Sequence, residues 1–365
     1  MLPHSLNFPL RKLLLGLALL AAAPMTPQAA VFAPPLPGSD LIGELQYTKA
    51  KHEDTLLDIA REFSLGQEEI VLANPTVDRW MPGEGKKILV PRWFVLPEAT
   101  RSGIVINIPE MRLYYYPGAS ANQPASQVIT YPISIGRMDW RTPLGATKVI
   151  QKIKDPVWRP PESIKREHAK DGDILPDVVP AGPNNPLGQF AMKLGVPGYL
   201  IHGTDVNKSY GIGMRVTHGC IRMYPEDIAK LFPLVDVNTG VTLVNQPVKL
   251  GWSGDQLYIE VTQPLDEDRI SYHELLASAL ALIEKKTSKR AFALDGVALR
   301  KALEQPSGVP VLISSPNGIA IPVPPGEPAE PRVPVHTAED GAADQPAQSP
   351  AAVNEPLPQS LGEIF

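Results

Sequence analysis

Tyr199-Leu200-Ile201-His202-Gly203-Thr204 and, further on, Thr217-His218-Gly219-Cys220-Ile221-Arg222 decide how this chain is read. Cys220 is the only cysteine in 365 residues, with one histidine two residues before it and another 18 before it. A thiol attacks a carbonyl only as thiolate, so a cysteine enzyme needs a base within hydrogen-bond reach and a group that orients that base. Gly203, Gly211, Gly213 and Gly219 let backbone come close to a reacting carbonyl. The apolar run before His202 and the run Met214-Arg215-Val216 read as two strands joined by a loop. That arrangement brings the strand end at His202 beside the turn at Cys220. Taken singly, a cysteine is a small buried hydrophobe and a histidine a packing residue. It is the spacing that argues for chemistry.

Fourteen residues separate His202 from Thr217. A His-Gly-Thr, a gap of that length, then Thr-His-Gly-Cys with an arginine two residues on resembles the active-site signature of the L,D-transpeptidases, the YkuD-like catalytic domain. Three further landmarks, residues 136–145, 156–160 and 185–188, resemble the same family and place the domain at residues 102–246. The resemblance implies a mainly β catalytic domain, a YkuD-like β-sandwich, with Cys220 as nucleophile and His202 as general base. The second ring nitrogen of His202 would be oriented by a backbone carbonyl, that of Gly203. His218 is the rival base; at i, i+2 in an extended segment it would share a face with Cys220. A thiolate–imidazolium pair would lower the thiol pKa from about 8.5 toward roughly 3.5 to 7.5. The N–H groups of His218, Gly219 and Cys220 are expected to hold an oxyanion. The planar fork of Arg222 suits either a substrate carboxylate or an ion pair that holds the loop. Tyr199, Tyr210 and Thr217 are candidates to line the pocket.

The implied reaction joins peptidoglycan stem peptides, with a second stem's amine or an outer-membrane lipoprotein lysine as acceptor. An L,D-carboxypeptidase or lipoprotein-detaching amidase of the same fold, or a non-catalytic wall-binding protein, are the alternatives. No cofactor is implied. Asp171-Gly172-Asp173 and nearby His168 read as a polar surface loop rather than a metal site.

Composition sets the frame. At 43% hydrophobic the chain can bury a sizeable core across two or more domains, and a net charge of −5 argues against nucleic acid. Proline (41) and glycine (28) are abundant, which points to many turns and extended segments. Residues 1–30 read as an export signal: Arg11 and Lys12, an apolar run over residues 13–23, then small residues, with cleavage after Ala29, Ala30 or Ala33. The run is too short for a permanent membrane span, so the mature protein is expected in the periplasm. A lone thiol kept in an oxidising compartment suggests use.

Residues 34–43 read as a linker, and residues 45–97 as a small α+β unit. Thr55 or Asp54 caps a helix with Leu56, Ile59, Ala60 and Phe63 on one face; a second helix runs over residues 68–73 to Asn74-Pro75. Short strands near Tyr47 and Ile88 flank the pair. This unit resembles a LysM module, a strand–helix–helix–strand grip for N-acetylglucosamine chains, which implies glycan strands as a partner. Lying upstream of every catalytic landmark, it is expected to supply location alone, so that its removal leaves turnover intact. A hairpin over residues 248–261 and helices over 271–285 (which carries His273) and 295–303 make a short α/β C-terminal subdomain, residues 247–304. Residues 305–365, rich in proline, alanine and acids, read as a disordered tail.

Overall fold

The computed structural model describes residues 30–315 and 319–321, apart from Ala121 and Ala291. The export signal and most of the tail lie outside the described residues.

Nine strands form one sheet, in the spatial order Ala30–Phe32, Val128–Pro132, Arg112–Tyr116, Gly103–Asn107, Gly240–Val244, Gly145–Lys154, Phe190–Leu194, Leu200–His202 and Ile221–Arg222. Neighbours run antiparallel except where Gly240–Val244 meets Gly103–Asn107 and where Ile221–Arg222 meets Leu200–His202. The last strand returns to the first half of the sheet: Ser134 and Arg222 exchange backbone hydrogen bonds of 2.8 and 3.0 Å. The sheet thus folds around a core that includes Ile104, Ile106, Leu113, Tyr115, Ile129, Tyr131, Ile201 and Ile221. Within each strand these are alternate residues, as the two-residue period requires.

The intervening residues Val105, Tyr114, Tyr116 and Val128 face a second core, shared with Leu56, Ile59, Ala60, Ile70 and Ile88 of the upstream unit. That unit runs strand Gln46–Lys49, helix Leu56–Glu62, helix Gln67–Ala73, strand Lys87–Val90, with the two strands paired antiparallel. Thr55 is the cap: its hydroxyl accepts from the Asp58 N–H at 3.1 Å, and the Asp58 carboxylate accepts from the Thr55 N–H at 2.9 Å. Arg112, fully buried on the sheet, pairs with Glu69 of the second helix and lies 4.4 Å from the Phe94 ring centroid. A buried guanidinium persists only with such a partner, so the pair rivets the two layers together.

A separable upstream unit, as the sequence suggests, is not what forms. Its apolar face and one face of the catalytic sheet are a single interior, and separating them would expose apolar area at about 25 cal/mol per Å². The stretch read as a linker also joins in, since Leu41–Gly43 pairs with Trp93–Val95.

The C-terminal part packs the hairpin Val248–Ser253 and Gln256–Val261 against helices Tyr272–Thr287 and Gly296–Glu304. Lys249 is buried between Glu110 and Glu260, at 2.9 and 2.7 Å, which ties this hairpin to the catalytic sheet. Order continues past Gln305, where disorder is expected from composition. Val311–Leu312 pairs with the hairpin edge and Ile313 is fully buried. The reason is local: Val311-Leu312-Ile313 is an apolar run that the tail's average composition conceals.

Candidate active site

Leu200–His202 and Ile221–Arg222 lie in parallel register, Ile201 against Ile221 and His202 against Arg222. Ile201 and Ile221 enter the main core, so alternation leaves His202, Arg222 and Cys220 for the other face. There Cys220 packs against Leu187, Ala191 and Leu200 beside Trp158, half-buried, with its S–H donating to Gly198 O at 3.6 Å. The strand before the turn, Arg215–Thr217, pairs with Ile135–Gly136 and not with the His202 strand.

The chain then bends through residues 218–220. Gly219 has φ +101°, in the left-handed region, and a Cβ there would lie 2.8 Å from the Tyr199 ring. Thr217 Oγ1 donates to Cys220 O at 2.6 Å. Thr142 Oγ1 donates to Gly219 O at 2.8 Å and accepts from the Gly136 N–H at 3.0 Å, bracing the turn from outside. The N–H groups of His218, Gly219 and Cys220 have no intramolecular acceptor among the described residues.

Because of the bend, residues 218–220 are not the extended segment in which His218 and Cys220 would alternate onto one face. His218 turns instead to Trp140, ring centroids 5.2 Å apart, and to Glu167, with Nε2 3.1 Å from Oε2. Glu167 belongs to the helix Glu162–Lys170 and also accepts from Arg137. The same helix carries His168, whose Nδ1 lies 2.7 Å from Asp173 Oδ2.

His202 is 4% exposed, with Nδ1 2.6 Å from Gly203 O. A carbonyl can only accept, so Nδ1 carries the proton and Nε2 is left with its lone pair. Burial, reinforced by the nearby Arg222 charge, pushes the His202 pKa down to about 3. Burial pushes the Cys220 thiol up to about 11, against the opposing pull of a hydrogen bond to the Leu200 backbone and of Arg222. At rest the two are therefore a neutral thiol and a neutral imidazole, not the expected ion pair with a lowered thiol pKa. Charging both without a ligand would desolvate two ions in a closed site.

Burial also lowers the His218 pKa, with the Glu167 carboxylate pulling it back up. Arg222 Nε is buried with no hydrogen-bond partner among the described residues. Tyr199 lies beside the turn and donates to Arg141 O at 3.2 Å, whereas Tyr210, on the 3-10 turn Val206–Gly211, is 65% exposed.

Glu167 gave no signal as a site residue, and Arg137 and Trp140 stood inside the landmark at residues 136–145 without a task assigned to them. Glu167 lies 51 residues before His218, in a stretch read only as polar and irregular. Thr142 stood inside a recognisable landmark, but its task is visible only from its two hydrogen bonds.

A thiol, a neutral imidazole with one oriented nitrogen, and unpaired N–H groups at a tight turn are a set that suits acyl transfer. Residues 101–249 match the YkuD family, the L,D-transpeptidase catalytic domain. The chain is 38% identical over 311 residues to the probable L,D-transpeptidase ErfK/SrfK of Escherichia coli K12, covering 83% of this chain and 96% of that protein. The chain belongs to the L,D-transpeptidase family. Two further relatives from Escherichia coli K12 are the probable L,D-transpeptidases YbiS, 37% identical over 79% of this chain and 94% of that protein, and YcfS, 39% identical over 76% and 87%. As a member of this family the chain is a peptidoglycan L,D-transpeptidase, an acyltransferase acting on stem peptides. The 311 matched residues extend beyond the catalytic domain at residues 101–249. Among the described residues no helix is long and apolar enough to cross a membrane.

Proposed function

We propose that Cys220 is the nucleophile of a periplasmic L,D-transpeptidase and that His202 is its general base. Cys220 Sγ attacks the carbonyl between meso-diaminopimelate and the terminal D-alanine of a stem tetrapeptide. His202 Nε2 takes the thiol proton as the C–S bond forms and gives it to the D-alanine amine as the C–N bond breaks. The acyl group then passes to an amine, from a second stem's diaminopimelate or from a lipoprotein lysine.

The observation that carries this reading is the hydrogen bond from His202 Nδ1 to Gly203 O, which leaves Nε2 unprotonated on the face that holds the thiol. Since both groups rest neutral, proton transfer accompanies attack rather than preceding it. The unpaired N–H groups at residues 218–220 support an oxyanion role, an interaction worth a few kcal/mol, about 3, in other acyl-transfer enzymes. The unpartnered Nε of Arg222 supports recognition of a substrate carboxylate.

Two features support the rest of the assignment. Ala30–Phe32 is an edge strand of the catalytic sheet, and Phe32 meets Phe94 edge-on at 6.0 Å. An export signal cut after Ala29 keeps that strand, whereas a cut after Ala33 removes it. The strand–helix–helix–strand order of the upstream unit, with Tyr47 and Trp80 exposed on it, supports a LysM-like role in binding glycan strands.

Incubation with purified disaccharide tetrapeptides followed by mass analysis is the test. Released D-alanine together with crosslinked dimers is expected; tripeptide alone would make the enzyme an L,D-carboxypeptidase, and no release at all would overturn the reading. Intact-protein mass should also rise by one carbapenem molecule and fail to do so in Cys220→Ser. An adduct that survives this substitution places the nucleophile elsewhere.

A further inference from the structure

The second half-reaction sets a problem that Cys220 and His202 do not solve between them. An acceptor side-chain amine has an ordinary pKa of about 10.4, so at neutral pH it arrives as an ammonium ion with no lone pair. Aminolysis of the thioester releases one net proton, and some group must take it before the nitrogen can attack. His202, buried and holding its proton on the nitrogen that faces Gly203 O, is suited to the proton that shuttles to and from sulfur.

The turn carries a second histidine in a different setting. His218 is half-buried, and its Nε2 lies 3.1 Å from Glu167 Oε2. A carboxylate accepts, so Nε2 holds the proton and Nδ1 keeps the lone pair. Glu167 is itself held by Arg137, and the Trp140 ring stands edge-on against the imidazole at 5.2 Å. His168 is the other titratable group facing His218, its ring centroid 6.2 Å away and its own Nδ1 paired with Asp173. A histidine oriented by a carboxylate is a better base than one oriented by a neutral carbonyl, and a partly exposed carboxylate beside it draws in a cation.

We propose that His218, positioned by Glu167, is the base that deprotonates the incoming acceptor amine, so that this pair steers the acyl-enzyme toward amines and away from water. The proposal rests on Cys220 forming the acyl-enzyme. The acceptor ammonium gives one proton to His218 Nδ1, and the freed nitrogen attacks the thioester carbonyl carbon. The N–C bond forms and the C–S bond breaks, while the second proton leaves nitrogen through His202 Nε2 for Sγ. His218 then releases its proton to solvent, and thiol and both imidazoles return to their resting states. Glu167 touches no reacting atom and is a positioning residue.

The test uses the full chain as wild type, Glu167→Gln and Glu167→Asp, with disaccharide tetrapeptide as donor and acceptor. Two quantities are read: the rate of carbapenem adduct formation, and the ratio of crosslinked dimer to hydrolysed tripeptide between pH 5.5 and 9. Glu167→Gln should lower the dimer-to-tripeptide ratio by about tenfold or more. Its acidic limb should move to lower pH, because losing the carboxylate makes the His218 imidazolium more acidic; Glu167→Asp should restore part of both. Adduct formation should fall by less than about twofold, which also reports that the variant is folded. An unchanged ratio and limb with intact adduct formation would overturn the proposal, as would adduct and dimer falling together in proportion. Failure of wild-type Cys220 to form the adduct at all would instead strike the reading on which this one rests.

Discussion

Gly66, which opens the second helix of the upstream unit, lies backbone to backbone against Gly213 in the loop between His202 and Thr217. A Cβ on Gly213 would sit 2.4 Å from Gly66 Cα, and one on Gly66 would sit 2.8 Å from Gly213 Cα. Around this contact the Gln67 N–H donates to Ile212 O at 2.9 Å and the Glu68 N–H to Gly213 O at 3.3 Å. Arg61 adds a two-bond grip on Glu226, at 2.7 and 2.9 Å, just beyond the catalytic turn. The upstream unit therefore holds both the loop that leads into the turn and the helix that leaves it.

Gly213→Ala should consequently weaken the fold and the chemistry together. Its φ of +84° costs a side chain about 1–2 kcal/mol, and the added methyl displaces Gly66 as well. A total loss of roughly 2–4 kcal/mol in urea unfolding is expected, with slower carbapenem acylation. Deleting residues 47–91 should give insoluble or unfolded protein without turnover of soluble muropeptides. A folded, active deletion would show that the shared core is dispensable.

Thr142 offers a cleaner probe of the turn. Thr142→Val keeps the shape but breaks the link between the Gly136 N–H and Gly219 O, two buried groups that then lack partners. The cost should be about 2–3 kcal/mol, with acylation of Cys220 reduced by about tenfold and most of it regained in Thr142→Ser. Wild-type acylation in the valine variant would mean that the turn holds its shape unaided.

The resting thiol should titrate late. With Cys220 raised to about 11 and His202 lowered to about 3, iodoacetamide alkylation should climb through the alkaline range without a plateau near neutrality. His202→Ala should leave that midpoint nearly in place while cutting carbapenem acylation by about a hundredfold, because the base works during attack and not before it. A wild-type midpoint below pH 8 would restore the ion-pair description.

Asp227 makes stability depend on pH in the opposite sense to the usual carboxylate. It is fully buried, and neither carboxylate oxygen has a hydrogen-bond partner among the described residues. Burial, then the Glu226 charge, raises its pKa from 3.8 to about 7. Since the folded value lies above the unfolded one, the stabilising contribution is complete below pH 4 and is lost as pH rises through 7. Asp227→Asn removes the ionisation and should stabilise the protein by about 2–3 kcal/mol more at pH 8 than at pH 5, measured by chemical unfolding at both. Equal effects at the two pH values would show that Asp227 titrates normally.

Local sequence was enough for what local physics decides. The spacing of His202, Thr217 and Cys220 identified the family, the apolar run before His202 marked its strand, and Thr55 or Asp54 marked a helix start that Thr55 makes. Three matters belonged to the tertiary structure. Alternation shows that Val105, Tyr114 and Tyr116 point away from Ile104 and Tyr115, but not that the upstream helices cover them. The glycine at 219 permits a bend, yet only the packed turn sends His218 toward Glu167, a partner 51 residues earlier. The charge states of Cys220 and His202 depend on how much protein encloses them, because the cost of ionisation is set by the surroundings on every side and not by the neighbours in the chain.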